Sequence, residues 1–395
     1  MKEDGLGATD QSSYLALEVS LTNAELVGVP GLVFRASGEV LVNRTTLSDG
    51  TASTTAAERL DWYTASTTND SNDLLPDFSA KLIKAISLSI DGSVWLDMFG
   101  FVVGGADLKI TQADMSVNDD AITAFDASVM SVELTNLNLF VGAGAKLDDN
   151  ANPTALVTGE AVGFSVSGTV KMALVKEDGL GATDQSSYLA LEVSLAGAEL
   201  VGIEGLVLKA EGSVLVNKAT DAAGDAVTDR IDWATATDTG SLLPDPGFGT
   251  KLTSSIELNV SGAASMDVFG FVVGTATFEM TTGTADVDTK NTNIDTDGIL
   301  SNASVMSLTL TNLNLFAGVG ATLNENGTPL DQDDDKIDTS GAIGFSISDG
   351  TIKFASVRPA STDPDDLTAY TGVEISIEGA ELVGIEGLVL KAEGS

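Results

Sequence analysis

Three stretches of the chain collect oxygen ligands densely enough to hold a hard cation. They are Asp286-Val-Asp288 followed by Asp295-Thr-Asp297-Gly298, Asp331-Gln-Asp333-Asp334-Asp335 with Asp338, and Asp363-Pro-Asp365-Asp366. Calcium takes several carboxylate and carbonyl oxygens from flexible loops. The candidate metal residues are therefore Asp286, Asp288, Asp295, Asp297, Asp331, Asp333, Asp335 and Asp338, with calcium as the expected ion. None of the stretches has the Glu that closes a twelve-residue EF-hand loop. The corresponding places earlier in the chain are thinner, Asp148-Asp149-Asn150 and Asn118-Asp119-Asp120, so the ion is not an expected part of every unit. The competing reading is a solvated acidic loop.

Catalysis has little to work with. The chain contains neither His nor Cys, which removes the commonest general base and the thiol nucleophile. A carboxylate pair could act as in a glycoside hydrolase, and Asp61 and Asp232 each stand beside a Trp. With 58 acidic residues, however, such pairs arise by chance. An enzyme is not expected. Trp62 and Trp233, in the shared segments Arg59–Trp62 and Arg230–Trp233, read first as apolar anchors for long polar loops. Their second reading is as ligand anchors that stack on carbohydrate. The glycine-rich runs near Gly100 and Gly142 lack the helix and the Lys-Ser/Thr pair of a phosphate loop and read as turns. Asn-X-Ser/Thr triplets at Asn43, Asn69, Asn259, Asn302 and Asn326 are weak glycosylation signals in so Ser- and Thr-rich a chain.

The elements that position these residues come in repeats. Lys176 to Leu195 copies Lys2 to Leu21 letter for letter, and Ala380 to Ser395 copies Ala198 to Ser213. Internal periods decide domain organisation before length does. The expected units are 1–175, 176–357 and 358–395, the last being the start of a third copy. Met1 stands where the second copy has Val175, and the third copy stops inside a hairpin, so the chain reads as an excerpt of a longer one.

Within a unit the pattern is β. Leu15, Leu17, Val19 and Leu21 alternate with Ala16, Glu18 and Ser20, the period of a half-buried strand. Gly28, Pro30 and Gly31 mark the turn to a second alternating strand, in which Gly38 signals a bend. Phe99-Gly100-Phe101 and Phe269-Gly270-Phe271 mark a second hairpin. Leu134 to Phe140 and Leu310 to Phe316 open a third, which an acidic insertion interrupts before Gly163 and Gly344. Helical periodicity is nearly absent; the one short candidate is Ser79 to Ala85. The expected fold is all-β, an elongated tandem-repeat architecture, either stacked hairpins forming a rod or β-sandwich beads. Strands of about nine to twelve residues are expected. A β-helix fits poorly, because no period of 20 to 30 residues appears.

Composition bounds the partners. The net charge of −39 repels phosphate backbones and anionic lipid. Nucleic acid is excluded as a partner, and no direct membrane insertion is expected. Such charge is screened best in a salty, cation-rich exterior. The missing cysteines leave the redox compartment open.

The alternating strands, the motif Leu134 to Phe140, the glycine turn and Gly163-Phe-Ser-Val-Ser-Gly168 together resemble the long β-rich tandem repeats of giant secreted bacterial surface proteins, such as RTX-type adhesins. The nonapeptide calcium repeat of true RTX segments is missing. The resemblance implies a stalk, fibre or adhesive extension, located outside the cell or on its surface, with neighbouring repeats or copies of itself as partners. A surface module that binds carbohydrate or protein is the alternative, and an extracellular hydrolase the remote one.

Overall fold

A computed structural model describes residues 12–53, 55–68, 74–119, 124–148, 155–178, 185–238, 242–244, 247–290, 298–361 and 366–395. The protein is all-β, with 64% of residues in strands and 3% in helix. Its centre is one antiparallel sheet in which each long strand pairs with the next in sequence. We number the principal strands β1 (Ser13–Glu25), β2 (Leu32–Thr46), β3 (Ile86–Met98), β4 (Val102–Asn118), β5 (Phe125–Ala143), β6 (Val162–Glu177) and β7 (Ser187–Val201). There follow β8 (Leu206–Thr220), β9 (Ile256–Val268), β10 (Val272–Asp288), β11 (Ile299–Val319), β12 (Ile343–Arg358), β13 (Tyr370–Val383) and the short β14 (Lys391–Gly394). Each full copy contributes six of these strands. The boundary between the copies, Val175/Lys176, falls inside β6, so the sheet passes from one copy to the next without a break.

The hairpins therefore join edge to edge into one long sheet, an elongated all-β architecture as the sequence leads one to expect. β1 to β13 run from 13 to 21 residues, longer than the alternation alone suggests. In the two longest, β5 and β11, the reason lies at Asn136 and Asn312, where the strict alternation stops. Both adopt left-handed backbone, with φ of 51° and 50°, a conformation that Asn tolerates better than most residues. Each makes a bulge, and pairing resumes beyond it. The Phe-Gly-Phe turns use the left-handed region too: Phe99 and Gly100 have φ of 55° and 69°. Met98 pairs with Val102, so the connection is the three residues Phe99 to Phe101, closed by Phe101 N donating to Met98 O at 2.9 Å. Phe99 is held there by its N–H, which donates to Gly31 O at 2.6 Å, and Asp97 Oδ1 accepts from Gly100 N at 2.8 Å.

The only α-helix among the described residues is α1 (Trp62–Thr67), six residues capped by Asp61, whose carboxylate accepts from Thr64 N. The Ser79 to Ala85 segment forms turns instead; Leu82 N donates to Ser79 O in one of them. A six-residue helix is below the length at which periodicity shows.

The register gives the sheet two chemically different faces. One row across it reads Leu21, Gly38, Gly92, Leu108, Leu134, Val170, Val193, Val214, Val260, Met280, Leu308, Phe354 and Val373. The adjacent row on the opposite face reads Ser20, Glu39, Asp91, Lys109, Glu133, Lys171 and Glu192. From Asp91 to Glu192 opposite charges alternate along it: Lys109 Nζ donates to Glu133 Oε1 at 3.1 Å. All four buried apolar clusters lie on this second, polar face, where loops fold back over it. The chain exposes 21623 Å², against about 14,500 Å² for a compact monomer of its mass. That excess is what a single layer produces.

Gly38 faces Gly92 and Gly212 faces Gly262 across neighbouring strands. A Cβ on any of the four would run into the partner strand's backbone, and Gly38 and Gly212 have φ of 148° and 146°. Gly212→Val should therefore destabilise the protein by roughly 2–3 kcal/mol, measured as a lowered midpoint in urea unfolding. A change under 0.5 kcal/mol would contradict this register.

Candidate cation site

Two kinds of loop build the polar face. The first leaves the Asn of Val-Leu-Val-Asn, and Asn43 and Asn217 are both almost fully buried. Asn217 Nδ2 donates to Ile231 O (2.9 Å) and Thr253 O (3.0 Å), while its Oδ1 accepts from Trp233 Nε1 at 3.0 Å. Asn43 does the same with Leu60 O, Ile83 O and Trp62 Nε1. One side chain thus satisfies three loop groups that burial would otherwise leave unpaired.

Trp62 is 4% exposed and Trp233 2%, and each indole packs edge-on against a Phe, Phe78 or Phe248, at 5.4 Å. Neither indole presents a face on which an outside ligand could stack. Arg59 and Arg230 complete the loops. Arg59 Nε donates to Lys84 O at 2.9 Å and its guanidinium pairs with Asp114. In the second copy Thr284 stands in for that aspartate and accepts from Arg230 at 3.2 Å.

The second copy's loop also crosses the repeat boundary. Its Ile231, Trp233, Phe248 and Leu252 cover Ala113, Val129, Ala173 and Tyr188 of β4 to β7. Ser131 Oγ donates to Leu242 O at 3.1 Å, and Gly249 N to Glu192 Oε2 at 2.7 Å.

The second kind of loop is the acidic insertion between β11 and β12. Thr322–Asn324 pairs with Lys336–Asp338 as a small ribbon, and Leu323 and Ile337 cover Val273 and Phe316. The ribbon's tip is carried across the sheet to β8. There Lys209 pairs with Glu325 and donates to Pro329 O at 3.3 Å, and Gln332 N donates to Glu211 Oε1 at 3.1 Å. This docking brings carboxylate oxygens of Glu211, Asp331 and Asp333 within 4.8 Å of one another. Burial pushes the Glu211 carboxyl above its ordinary pKa, and the charges of Asp331 and Asp333 push it further.

Two residues along, Asp335 is 6% exposed, and neither carboxylate oxygen receives a hydrogen bond of normal geometry, with Ser265 the hydroxyl beside it. Burial raises its pKa as well. Gln332 Oε1 is buried without a partner too. The insertion thus holds a cluster of close carboxylates and, beside it, a nearly enclosed uncompensated one, the oxygen chemistry that suits a hard cation.

The other sequence candidates lie elsewhere. Asp286 accepts from Asn302 N at 2.8 Å, Asp288 pairs with Lys290, and Asp338 accepts from Ser340 N at 2.9 Å. Asp295 and Asp297 fall outside the described residues, as do Asp363 and Asp365. The first copy has Ser37 where the second has Glu211, by alignment on Gly38 and Gly212, and the tip of its own insertion, 149–154, is outside the described residues. Glu211 and the two Asn residues carried no local signal, because each acts on a segment far along the chain. No known protein family matches the chain, and neither a curated protein nor a solved structure shows significant similarity to it.

Asn217→Ala should cost about 3 kcal/mol, since it strands one donor and two acceptors in a buried place; unfolding followed by tryptophan emission measures this. A loss below 1 kcal/mol would show that the loop is held by apolar contact alone. For Asp335, a native pKa raised above the unfolded value means that stability falls as pH rises upward from about 4. In metal-free buffer at pH 7, Asp335→Asn should gain on the order of 1 kcal/mol and flatten the dependence of the melting midpoint on pH between 4 and 7. An unchanged slope would place the aspartate in contact with water.

Proposed function

We propose that the chain is a structural segment of a long, acidic, extracellular fibre or adhesin stalk. The observation that carries this reading is that β6 spans the junction between copies, so that each copy widens one sheet by six strands. Such growth is open-ended, as in other repeat architectures in which each unit buries surface only against its neighbours. Load along the axis of growth runs across the strands and falls on the backbone ladders between them, and the loop of Trp233 ties one copy to the strands of the one before. The acidic composition, a net −39, suits a saline exterior.

The acidic insertion has a part in this reading. A divalent cation held by Asp335 or by Glu211, Asp331 and Asp333 would cancel charge where the tip docks and lock β11–β12 onto β8. Calcium is the ion whose ligand preferences fit best.

Each added copy should lengthen the particle by about 29 Å, six strands at ~4.8 Å, in small-angle scattering of chains with two, three and four copies. Dimensions that grow as the cube root of mass would refute the fibre reading. Millimolar calcium should raise the melting midpoint of the wild-type chain by several degrees, and Asp335→Asn should lose at least half of that gain. Equal midpoints with calcium and with chelator would remove the ion from the account.

A further inference from the structure

The apolar face of the sheet has no cover among the described residues. On β2 it carries Leu32, Phe34, Ala36, Gly38, Val40 and Val42; on β6, Val162, Phe164, Val166, Gly168, Val170, Met172 and Leu174; on β8, Leu206, Leu208, Ala210, Gly212, Val214 and Val216. No charged side chain interrupts these runs. They end within one row of each other along one border, where Arg44, Lys176 and Lys218 take the next positions. Large side chains on this face remain open: Leu17 is 47% exposed and Phe164 49%. Every large sheet residue that is fully buried lies on the other face. With thirteen long strands at ~4.8 Å spacing and a band of ~30 Å, the apolar face measures on the order of 1,700 Å². Monomeric proteins rarely leave more than a few hundred Å² of such surface in water.

We propose that this face is covered by the same face of a second copy of the chain, making a two-layer sandwich. Three observations favour that occupant. The area is about twice the ~800 Å² per partner that a standard stable interface uses. The relief is graded: the ridge Val193, Val214, Val260, Met280, Leu308, Phe354 runs parallel to a hollow formed by Ala198, Ala210, Ala264 and Ala276, with the paired glycines Gly212 and Gly262 between them. A two-fold axis sets the ridge of one copy over the hollow of the other, a self-complementary fit. The charge is also placed to permit it. The polar loops and the Glu–Lys ladder sit on the opposite face and point outward in the sandwich. With sheets packed ~10 Å apart and side chains on both outer sides, those charges are roughly 20 Å or more from their counterparts. This is about two screening lengths at 0.1 M salt and far more at higher salt.

The pairing is independent of where the chain works, and its test is separate from the growth in length that bears on the fibre. Sedimentation equilibrium of the 395-residue chain in 0.5 M NaCl should give twice the 40.4 kDa mass, with a dissociation constant at least tenfold weaker in 0.05 M NaCl. Val193→Asp, at the centre of the open face, should weaken pairing at least 100-fold with an unchanged far-ultraviolet spectrum. Ser194→Asp, its neighbour on the polar face, should leave pairing within threefold. If Val193→Asp fails to fold, Val260→Asp serves in its place. A monomer at 50 µM in 0.5 M salt overturns the proposal. So does flotation of the wild-type chain with phosphatidylcholine vesicles that Val193→Asp abolishes, because lipid would then be the occupant.

Discussion

Two-residue alternation, reset at defined bulges such as Asn136 and Asn312 and carried in register across thirteen strands, is the constraint on which the rest depends. A shift of one residue in any pairing would move an entire apolar set to the polar side. The paired glycines, the Asn bulges and the three-residue Phe-Gly-Phe turns each fix register at a defined place. Their recurrence at Gly38 and Gly212, Asn136 and Asn312, and Phe99 and Phe269 makes the second copy enter the sheet in the same phase as the first. The result is a sheet whose sides have different tasks. One side is Ser, Thr, Glu and Lys with apolar patches such as Leu41, Val175 and Phe316 under its loops; the other is mainly Val, Leu, Ile and Phe.

The loops turn the polar side into a set of local cores. A lone sheet layer is poorly stabilised because nothing dry lies beneath it. Trp233, Phe248, Ile231 and Leu252 supply that dry layer over Ala173, Val175 and Tyr188. The buried Asn makes the arrangement possible, since otherwise the loop backbone would have to leave water unpaired. The acidic insertion uses the same principle with charge added: Leu323 and Ile337 anchor its root, and Lys209 receives its tip. Both devices tie strands distant in sequence, and the first also ties one copy to the next.

Much of the fold was legible in the residues. Leu15 to Leu21 announces its strand, and the repeated Phe-Gly-Phe announces its turn. What could not be read is how hairpins meet, because alternation is the same whether a hairpin stacks on its neighbour or pairs with its edge. That choice rests on register across β6 and β7, which involves residues tens of positions apart. The cation candidates divide similarly. Asp331 and Asp333 are dense enough to notice locally, whereas Glu211 joins them only because a ribbon crosses two strands to reach it. The short helix at Trp62 has too few residues to leave a period, and its Asp61 cap was the one available sign.

The central claim is that the two copies form one uninterrupted sheet. Amide hydrogen exchange over residues 162–201 tests it most directly. With β6 and β7 as interior strands, amides on either side of Val175/Lys176 should be as protected as those of β4 and β5. If the copies are separate bodies joined at that point, amides near residues 172–190 would exchange within seconds while the rest stayed protected, and the continuous sheet would have to be abandoned.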